Sequence, residues 1–179
     1  MNLENIAYEN FSTNVFSDLN KNWMLLTVGD KKKFNTMTVS WGMFGTFWHK
    51  PMVMIGVRPQ RYTYDFIENN DTFTLSGFPE GFKEQLTFCG RNSGREVDKI
   101  AETNLTPIIA DEVDCVTFKE AELIIECRIV YCESLKGKNF KNKRIKPDLY
   151  PNRDFHKLYY AEVVNISGVD KYLNTKDQD

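Results

Sequence analysis

Short apolar runs separated by polar, glycine-containing segments recur along the whole chain. Runs of this length, several of which alternate apolar and polar positions, predict β-strands. We expect strands over residues 23–28, 35–44, 52–57, 72–78, 117–132 and 158–169. The first two flank Gly29, Asp30 and the lysine cluster 31–33, which is typical of a β-hairpin tip. The lysines are also compatible with a phosphate site, although a solvated hairpin tip explains them more simply.

Three short helices are expected in the middle of the chain. Thr63 can cap a helix over 64–69, and a second helix fits residues 79–88. Ser93 and Glu96 have capping-box spacing, which predicts a third helix that ends near residue 103. Strands and helices do not alternate regularly, which disfavours a doubly wound parallel sheet. We therefore predict a mainly β fold, an antiparallel β-barrel with short appended helices.

The longest predicted strand, 117–132, carries three glutamates, Glu120, Glu122 and Glu126. Their even spacing places them on one face of a strand. A pair of catalytic acids is compatible with this pattern, but we interpret the face as the solvated one. The basic segment 136–146 is expected to form a loop, and the tail 174–179 is expected to fray.

Length and charge narrow the class of protein. The 179 residues suit a single domain over 1–179 with a core at about 23–169. The formal net charge of −2 leaves no basic excess, which argues against a nucleic-acid partner. The apolar runs are far shorter than a membrane span, and the N-terminus lacks a signal-peptide pattern. We therefore predict no membrane partner and a cytoplasmic location.

The metal-binding residue types are sparse. The four cysteines include no C-x-x-C pair, and the only histidines are His49 and His156. A structural metal needs a denser set of ligands, so we predict no metal site and reduced cysteines. His49 follows Trp48 and is compatible with an axial haem ligand, although a turn histidine is the simpler interpretation.

The glycine-rich dinucleotide fingerprint, the P-loop and the G-x-S-x-G motif are absent. Two other segments carry candidate chemistry. Residues 35–41, Asn-Thr-Met-Thr-Val-Ser-Trp, place small hydroxyls beside a large aromatic ring, and residues 58–63, Arg-Pro-Gln-Arg-Tyr-Thr, bring two guanidiniums to a strand-to-helix turn. Arginine forks, a hydroxyl and free helix amides suit a phosphate monoester. Pairing of the two arginines with Asp65 or Glu68 fits the sequence equally well.

These two segments are followed by Cys89-Gly90-x-x-Ser93-Gly94-Arg95-x-x-Asp98-Lys99. The three together resemble the signature segments of the flavin reductase-like, FMN-binding split-barrel proteins, and most of all the flavoredoxin-type branch. The resemblance covers roughly residues 23–169. It implies a six-stranded antiparallel split barrel of Greek-key type, usually a homodimer, with FMN near the subunit interface.

The resemblance also implies roles for individual residues. The flavin ring would be lined, through backbone amides and a serine hydroxyl, by Met37, Thr38, Val39, Ser40 and Trp41. The phosphate end of the cofactor would be held by Arg58, Arg61, Tyr62 and Thr63. A polar loop would close the site with Ser93, Gly94, Arg95 and Lys99.

A candidate catalytic residue, His156, stands where related reductases carry a histidine just before the last strand. Those relatives often show Gly-Asp-His, whereas this chain has Asp154-Phe155-His156. A surface histidine without a function is therefore the alternative.

The activity implied by the resemblance is hydride transfer from NADH or NADPH to FMN. The reduced flavin would pass electrons to free flavin, oxygen or a redox protein partner. Two alternatives come from other classes of function: a flavin-storing module without turnover, and a split barrel that binds another ring cofactor such as haem or pyridoxal phosphate.

Overall fold

The computed structural model of the protein describes residues 2–174. The strands of this part are β1 (Glu4–Asn5), β2 (Met24–Gly29), β3 (Phe34–Val39), β4 (Gly42–Phe47), β5 (Lys50–Val57), β6 (Thr72–Gly77), β7 (Pro107–Ile109), β8 (Val116–Phe118), β9 (Leu123–Ser134) and β10 (Lys157–Gly168). The α-helices are α1 (Val15–Ser17), α2 (Tyr62–Ile67), α3 (Lys83–Arg91), α4 (Lys99–Thr103) and α5 (Ile145–Leu149). One π-helical turn covers Asp18–Asn22, and 3₁₀ turns cover Tyr8–Asn10, Gly137–Asn139 and Asp170–Tyr172.

The main sheet follows the antiparallel order β3-β2-β6-β9-β10-β5-β4, and β1 pairs with β10 beside this path. β3 and β4 lie at opposite ends of the path, yet only Ser40 and Trp41 connect them. In a flat sheet, strands about 4.8 Å apart would place these ends about 29 Å from each other, whereas the connection spans at most about 11 Å. The sheet therefore curls until its ends meet at this connection. This split barrel confirms the predicted mainly β class, with seven strands on the path instead of six.

The barrel interior is filled by fully buried side chains such as Leu26, Val28, Ile55 and Phe73. Burial of each contributes about 1.5–3 kcal/mol. A second apolar cluster lies on the other face of β2, where Leu25 meets α3 and β8 through residues that include Leu86, Cys89 and Phe118. β2 is thus buried on both faces, which explains why it is apolar at both alternating sets of positions apart from Thr27, whose hydroxyl bonds that of Thr36. The same packing holds α3 beside β3, where it forms one wall of the site described below.

The hairpin predicted around Gly29 is confirmed, since β2 and β3 pair from Met24 opposite Val39 to Gly29 opposite Phe34. Gly29 has a φ of 108°, a conformation that side chains rarely adopt. The predicted strand 35–44 is wrong in one respect, because the chain leaves β3 after Val39 and enters the separate strand β4.

The prediction of one strand over 117–132 is wrong. The chain forms β8, which pairs with β7 in a separate two-stranded sheet, then turns through 119–122 and enters β9 at Leu123. The predicted loop 136–146 contains a 3₁₀ turn and the first residues of α5. Apart from Asn174, the tail predicted to fray lies outside the described residues.

The assignment of the glutamates to a solvated face is wrong for Glu126 and Glu122. Glu126 is 1% exposed, and its carboxylate accepts backbone N–H groups of Asp111, Glu112 and Val113 at 3.1, 2.7 and 3.0 Å. Glu122 is buried and accepts the Tyr172 hydroxyl at 3.0 Å. The segment that connects β7 with β8 presents the three backbone donors to Glu126, and the 3₁₀ turn after β10 presents Tyr172 to Glu122. Strand periodicity reveals neither contact.

The predicted helix boundaries are also corrected. α2 begins at Tyr62, and Thr63 is not its cap, because the buried Thr63 hydroxyl accepts the Asn35 side-chain amide at 2.7 Å. The second helix lies later than predicted, over Lys83–Arg91. The capping box at Ser93 does not form, since the chain turns at 94–96 and α4 begins at Lys99, capped by the Asp98 carboxylate.

Within residues 2–174, no helix is long and apolar enough to cross a membrane.

Candidate functional site

A cleft of about 420 Å³, here called the first cleft, opens where β3 passes into β4. Its walls come from the end of β3, the β3–β4 connection, the end of β5, helix α3 and the start of β10. The lining residues are Trp23, Met37, Thr38, Val39, Ser40, Trp41, Gly56, Arg58, Arg61, Leu86, Thr87, Gly90, Arg91 and His156. The cleft thus unites all five residues predicted to line the flavin ring with Arg58, Arg61 and the candidate catalytic residue His156.

One wall of the first cleft is the free edge of β3. Among the described residues β3 pairs with β2 alone in the sheet, so every second backbone amide of β3 points away from its neighbour. The Thr38 hydroxyl donates to the Leu86 carbonyl and fastens α3 to this edge. Gly90 permits the close approach, since a Cβ atom there would lie 3.2 Å from the Thr38 Cβ. The outward amides of β3 and the fixed helix α3 therefore form adjoining walls of the cleft.

The β3–β4 connection supplies an exposed aromatic face. Trp41 is 43% exposed, and its ring lies 4.9 Å from the His156 ring with 40° between the planes. A flat aromatic ligand can stack on such a face with its polar rim toward the strand amides. The geometry therefore suits a planar, hydrogen-bonding ring system.

Arg58 is held by protein partners. Its guanidinium donates to the Asp154 carboxylate at 2.7 Å and to the Leu149 carbonyl at 2.8 Å, and it lies 5.2 Å from the centre of the Tyr150 ring. The sequence-based alternative, pairing of Arg58 and Arg61 with Asp65 or Glu68, is therefore wrong. Those acids pair elsewhere, Asp65 with Arg95 and Glu68 with Lys157.

Arg61 differs from Arg58 because its guanidinium has no hydrogen-bond or ion-pair partner among residues 2–174. The side chain is half-buried at the rim of the first cleft. Burial, together with the positive charge of Arg58, lowers the pKa of Arg61 from its usual value. Two neighbouring cations, one of them unpaired and partly desolvated, form a place where an anion is favoured.

His156 is 8% exposed, so the alternative of a surface histidine is wrong. Its Nδ1 atom shares a 2.7 Å hydrogen bond with the hydroxyl of the buried Tyr150. Burial and the nearby charge of Arg58 lower the pKa of His156 to about 4. The ring is consequently neutral at pH 7.

The remaining predicted residues do not reach the first cleft. Tyr62, Gly94, Arg95 and Lys99 line a second cleft of about 620 Å³, whose wall continues from the first along β3 at Asn35 and Thr36. Thr63 and Ser93 line neither cleft. Thr63 is enclosed, and the Ser93 hydroxyl accepts the backbone N–H of Arg95 at 3.2 Å.

Lys99 is a buried cation between the two clefts. Its ammonium group donates to the carbonyls of Thr36 in β3 and Cys89 in α3, at 2.7 and 2.8 Å. Burial lowers its pKa to about 8. Lys99 therefore ties strand to helix, and this positions both walls of the first cleft.

The chain matches the family model of the flavin reductase like domain over residues 16–176. The chain belongs to the flavin reductase-like family. This membership supports a flavin-related function and agrees with the order of the three sequence segments described above. No curated protein matches the sequence significantly.

Solved structures share the fold at low sequence identity. The flavoredoxin of Desulfovibrio vulgaris (Miyazaki F) is 20% identical with a TM-score of 0.65, over 83% of this chain and 70% of that one. An FMN-binding protein from Thermus thermophilus with bound 1-cyclohex-2-enone is 19% identical with a TM-score of 0.62, over 87% and 74%. An NADH:FAD oxidoreductase of Streptomyces globisporus is 17% identical with a TM-score of 0.63, over 85% and 78%.

Several residues of the first cleft were missed by the sequence analysis. They include Trp23, which directly precedes β2, and Leu86, Gly90 and Arg91, which reach the cleft because α3 packs beside β3. Tyr150 was missed as well, since it follows the basic segment 136–146 and belongs to no motif of the sequence. No periodic signal marks these positions, and only the tertiary packing brings them together.

Proposed function

We propose that this protein is an FMN-binding flavoprotein that transfers hydride from NADH or NADPH to flavin, as a flavin reductase or a flavoredoxin-like electron carrier. The observation that carries the proposal is the first cleft, in which a free strand edge and the exposed Trp41 face stand beside the unpaired Arg61. Family membership supports flavin as the ligand class. The solved relatives named above include an FMN-binding protein and an NADH:FAD oxidoreductase, which support FMN and NADH as specific candidates.

The donor set of the first cleft fits FMN on three counts. Its volume of about 420 Å³ lies within the 300–1,000 Å³ typical of small-molecule sites. The outer amides of β3 and the Ser40 hydroxyl match the hydrogen-bonding rim of a flavin, while the Trp41 face matches its apolar plane. Arg61 meets the need of a phosphate monoester for a cation that is not already paired. We assign the ring to Met37, Thr38, Val39, Ser40 and Trp41, and the phosphate to Arg61, with Arg58 as a neighbouring charge.

Bound flavin would supply the hydride chemistry, which no side chain of the cleft offers. The contribution of the protein is to bind and orient. The β3 edge fixes the direction of the ring, α3 limits its depth, and Trp41 covers part of a face and excludes water. His156 reaches the same space with a neutral imidazole, so its role in the proposal is to bind a ring substituent.

The second cleft receives a subordinate role in the proposal. Its cations include Arg95, which is already paired with Asp65, and the exposed Lys32 and Lys33. We therefore keep Tyr62, Gly94, Arg95 and Lys99 as residues that shape the neighbourhood of the phosphate. In the proposal, Thr63 and Ser93 do not contact the cofactor. Thr63 supports the site by accepting the Asn35 side-chain amide, and Ser93 by holding the turn before α4.

We also propose that the protein is a homodimer. Tyr131, Tyr160, Met54 and Met43 lie opposite one another across β9, β10, β5 and β4, on the outer face of the barrel. Met43 is 64% exposed and Tyr131 is 48% exposed. This apolar row runs beside Gly56 and Trp41 of the first cleft, so a second copy placed on it would border the flavin.

A redox protein partner remains part of the electron-carrier form of the proposal. Four free cysteines support a reducing compartment such as the cytoplasm.

The proposal is tested by anaerobic titration of FMN-loaded protein with NADH and with NADPH, followed by visible absorbance. We expect the protein either to retain FMN through gel filtration or to bind added FMN with a Kd that can be measured by titration. We also expect either NADH or NADPH to bleach the bound flavin. Retained flavin that neither nucleotide bleaches would contradict the reductase and favour storage or electron transfer from another donor. No flavin binding would contradict the proposal altogether, and a Soret band would redirect it to haem.

A further inference from the structure

The loop before β10 carries an aromatic cluster that covers one side of His156. Tyr150 is 5% exposed, and its ring lies 5.9 Å from Phe140 and 5.1 Å from Phe155. Its hydroxyl reaches the His156 Nδ1 atom at 2.7 Å. The cluster fixes the phenol in place, so this hydrogen bond is a constrained feature of the fold.

The direction of this hydrogen bond follows from counting donors and acceptors. A phenol carries one proton to donate, and a buried donor without an acceptor is costly. Burial raises the pKa of Tyr150, so the phenol keeps its proton. Within residues 2–174, the only acceptor at the hydroxyl is His156 Nδ1, while the neighbouring Arg58 guanidinium can only donate. Tyr150 must therefore donate and Nδ1 must accept.

The other ring nitrogen opens toward the ligand. In the described part of the chain, His156 Nε2 has no hydrogen-bond partner. It is also not among the side-chain nitrogen and oxygen atoms that are fully enclosed and lack a partner. The ring lines the first cleft, and Gly56 allows it to lie against β5, because a Cβ atom there would be 3.2 Å from the His156 Cδ2 atom. Nε2 is thus the atom through which His156 can meet a bound molecule.

We infer that Tyr150 is a positioning residue that fixes His156 in the tautomer with its proton on Nε2, so that the ring offers a neutral hydrogen-bond donor to a carbonyl oxygen of the ring system bound in the first cleft. The ligand half of this inference rests on the proposed function, whereas the tautomer half concerns the free protein. The carbonyl belongs either to the flavin ring or to the nicotinamide carboxamide. In both cases His156 acts as a hydrogen-bond donor and does not deliver a proton.

Long-range ¹H–¹⁵N correlation spectra of the histidine rings test the tautomer directly, because a protonated and a bare ring nitrogen give distinct signals. The chain has only two histidines, and the exposed His49 is removed for assignment by His49→Asn. Asparagine is chosen because His49 has a φ of 58°, which asparagine tolerates. We expect His156 to carry its proton on Nε2 at pH 7. A proton on Nδ1 would overturn the inference.

The variant Tyr150→Phe keeps the aromatic packing and removes only the hydroxyl. We expect the two tautomers of His156 to mix in this variant, while Tyr8→Phe, at an exposed tyrosine outside both clefts, leaves the spectrum unchanged. An unchanged His156 tautomer in Tyr150→Phe would overturn the positioning role. In the loaded protein we expect the rate of flavin reduction to fall roughly three- to tenfold, the value of one neutral hydrogen bond.

The source of the carbonyl is read from the Nε2 signal of the wild-type protein. A shift on addition of FMN alone supports a flavin carbonyl, and a shift that needs NAD⁺ added to the FMN-loaded protein supports the carboxamide. No shift with either ligand would overturn the donor role. If the protein takes up no FMN, the proposed function fails, yet the spectra of the free protein still decide the tautomer.

Discussion

Replacement of Arg61 by alanine is the sharpest test of where the phosphate of FMN binds. Arg61 is a half-buried guanidinium of the first cleft that has no partner among residues 2–174, whereas Arg58 is already held by Asp154 and Leu149. A hydrogen bond to a charged group contributes about 1.5–3 kcal/mol, which corresponds to a loss of affinity of roughly 10- to 150-fold. Because the side chain is half-buried, salt should screen this contribution only weakly. Quenching of flavin fluorescence gives the Kd.

Two comparisons separate phosphate binding from general damage. Lys32→Ala removes an exposed lysine that lines only the second cleft, and we expect at most a twofold change in FMN affinity. Riboflavin lacks the phosphate, so its affinity should be equal in Arg61→Ala and wild type. The free variant should keep its melting temperature, because no partner of Arg61 is lost. Equal losses for FMN and riboflavin, or equal effects of the Arg61 and Lys32 substitutions, would refute the reasoning.

Three further substitutions probe the framework of the site. Glu126→Gln places an amide donor against the backbone N–H groups that bind the Glu126 carboxylate in the wild type, so the free energy of unfolding measured in urea should fall by about 2–4 kcal/mol. The control is Glu120→Gln, at a partly exposed glutamate, and a loss at Glu126 no larger than the loss at Glu120 would contradict the prediction. Lys99 has a pKa of about 8 in the folded protein and 10.5 when unfolded, so between these pH values the unfolded state binds more protons than the folded state. The free energy of unfolding of the wild type should therefore rise with pH across this window relative to that of Lys99→Met. Parallel pH profiles of the two proteins would argue against a buried ammonium group. Tyr160→Glu places a charge in the apolar row on the outer face of the barrel, so light scattering should show monomers for this variant and dimers for the control Tyr8→Glu. A monomeric wild-type protein would contradict the proposed interface.

The sequence predicted the features of the fold that depend on local pattern. The hairpin at Gly29 follows from two apolar runs around a turn, and the mainly β class follows from many short strands without regular helices. The sequence did not predict the end of β3 at Val39, because the turn at Ser40 and Trp41 lies within a continuous strand-like run. That turn nevertheless closes the barrel and opens the first cleft.

The errors at Thr63 and Glu126 share a physical cause. Thr63 has the residue type of a helix cap, and Glu126 has the spacing of a solvated strand face. Each side chain instead forms hydrogen bonds with residues that are distant in the sequence. The Asn35 amide on β3 binds Thr63, and the backbone of residues 111–113 binds Glu126. Buried polar groups satisfied across the fold leave no trace in local periodicity.

The candidate site was predicted in part for the same reason. The contiguous residues Met37 to Trp41 line one cleft together because they follow one strand edge, and Arg61 joins them from the turn between β5 and α2. Tyr150 depends on how a long polar loop folds back, which neither composition nor spacing indicates. The division of the predicted residues between two clefts is likewise a consequence of packing, since Lys99 draws α3 onto β3 from between them.

The most direct test of the central claim is a crystal structure of the protein with FMN bound. We predict the ring in the first cleft, along Met37 to Trp41, with the phosphate within hydrogen-bonding distance of Arg61. FMN seated in the second cleft between Arg95 and Lys32, or crystals that take up no FMN from saturating solution, would contradict the account.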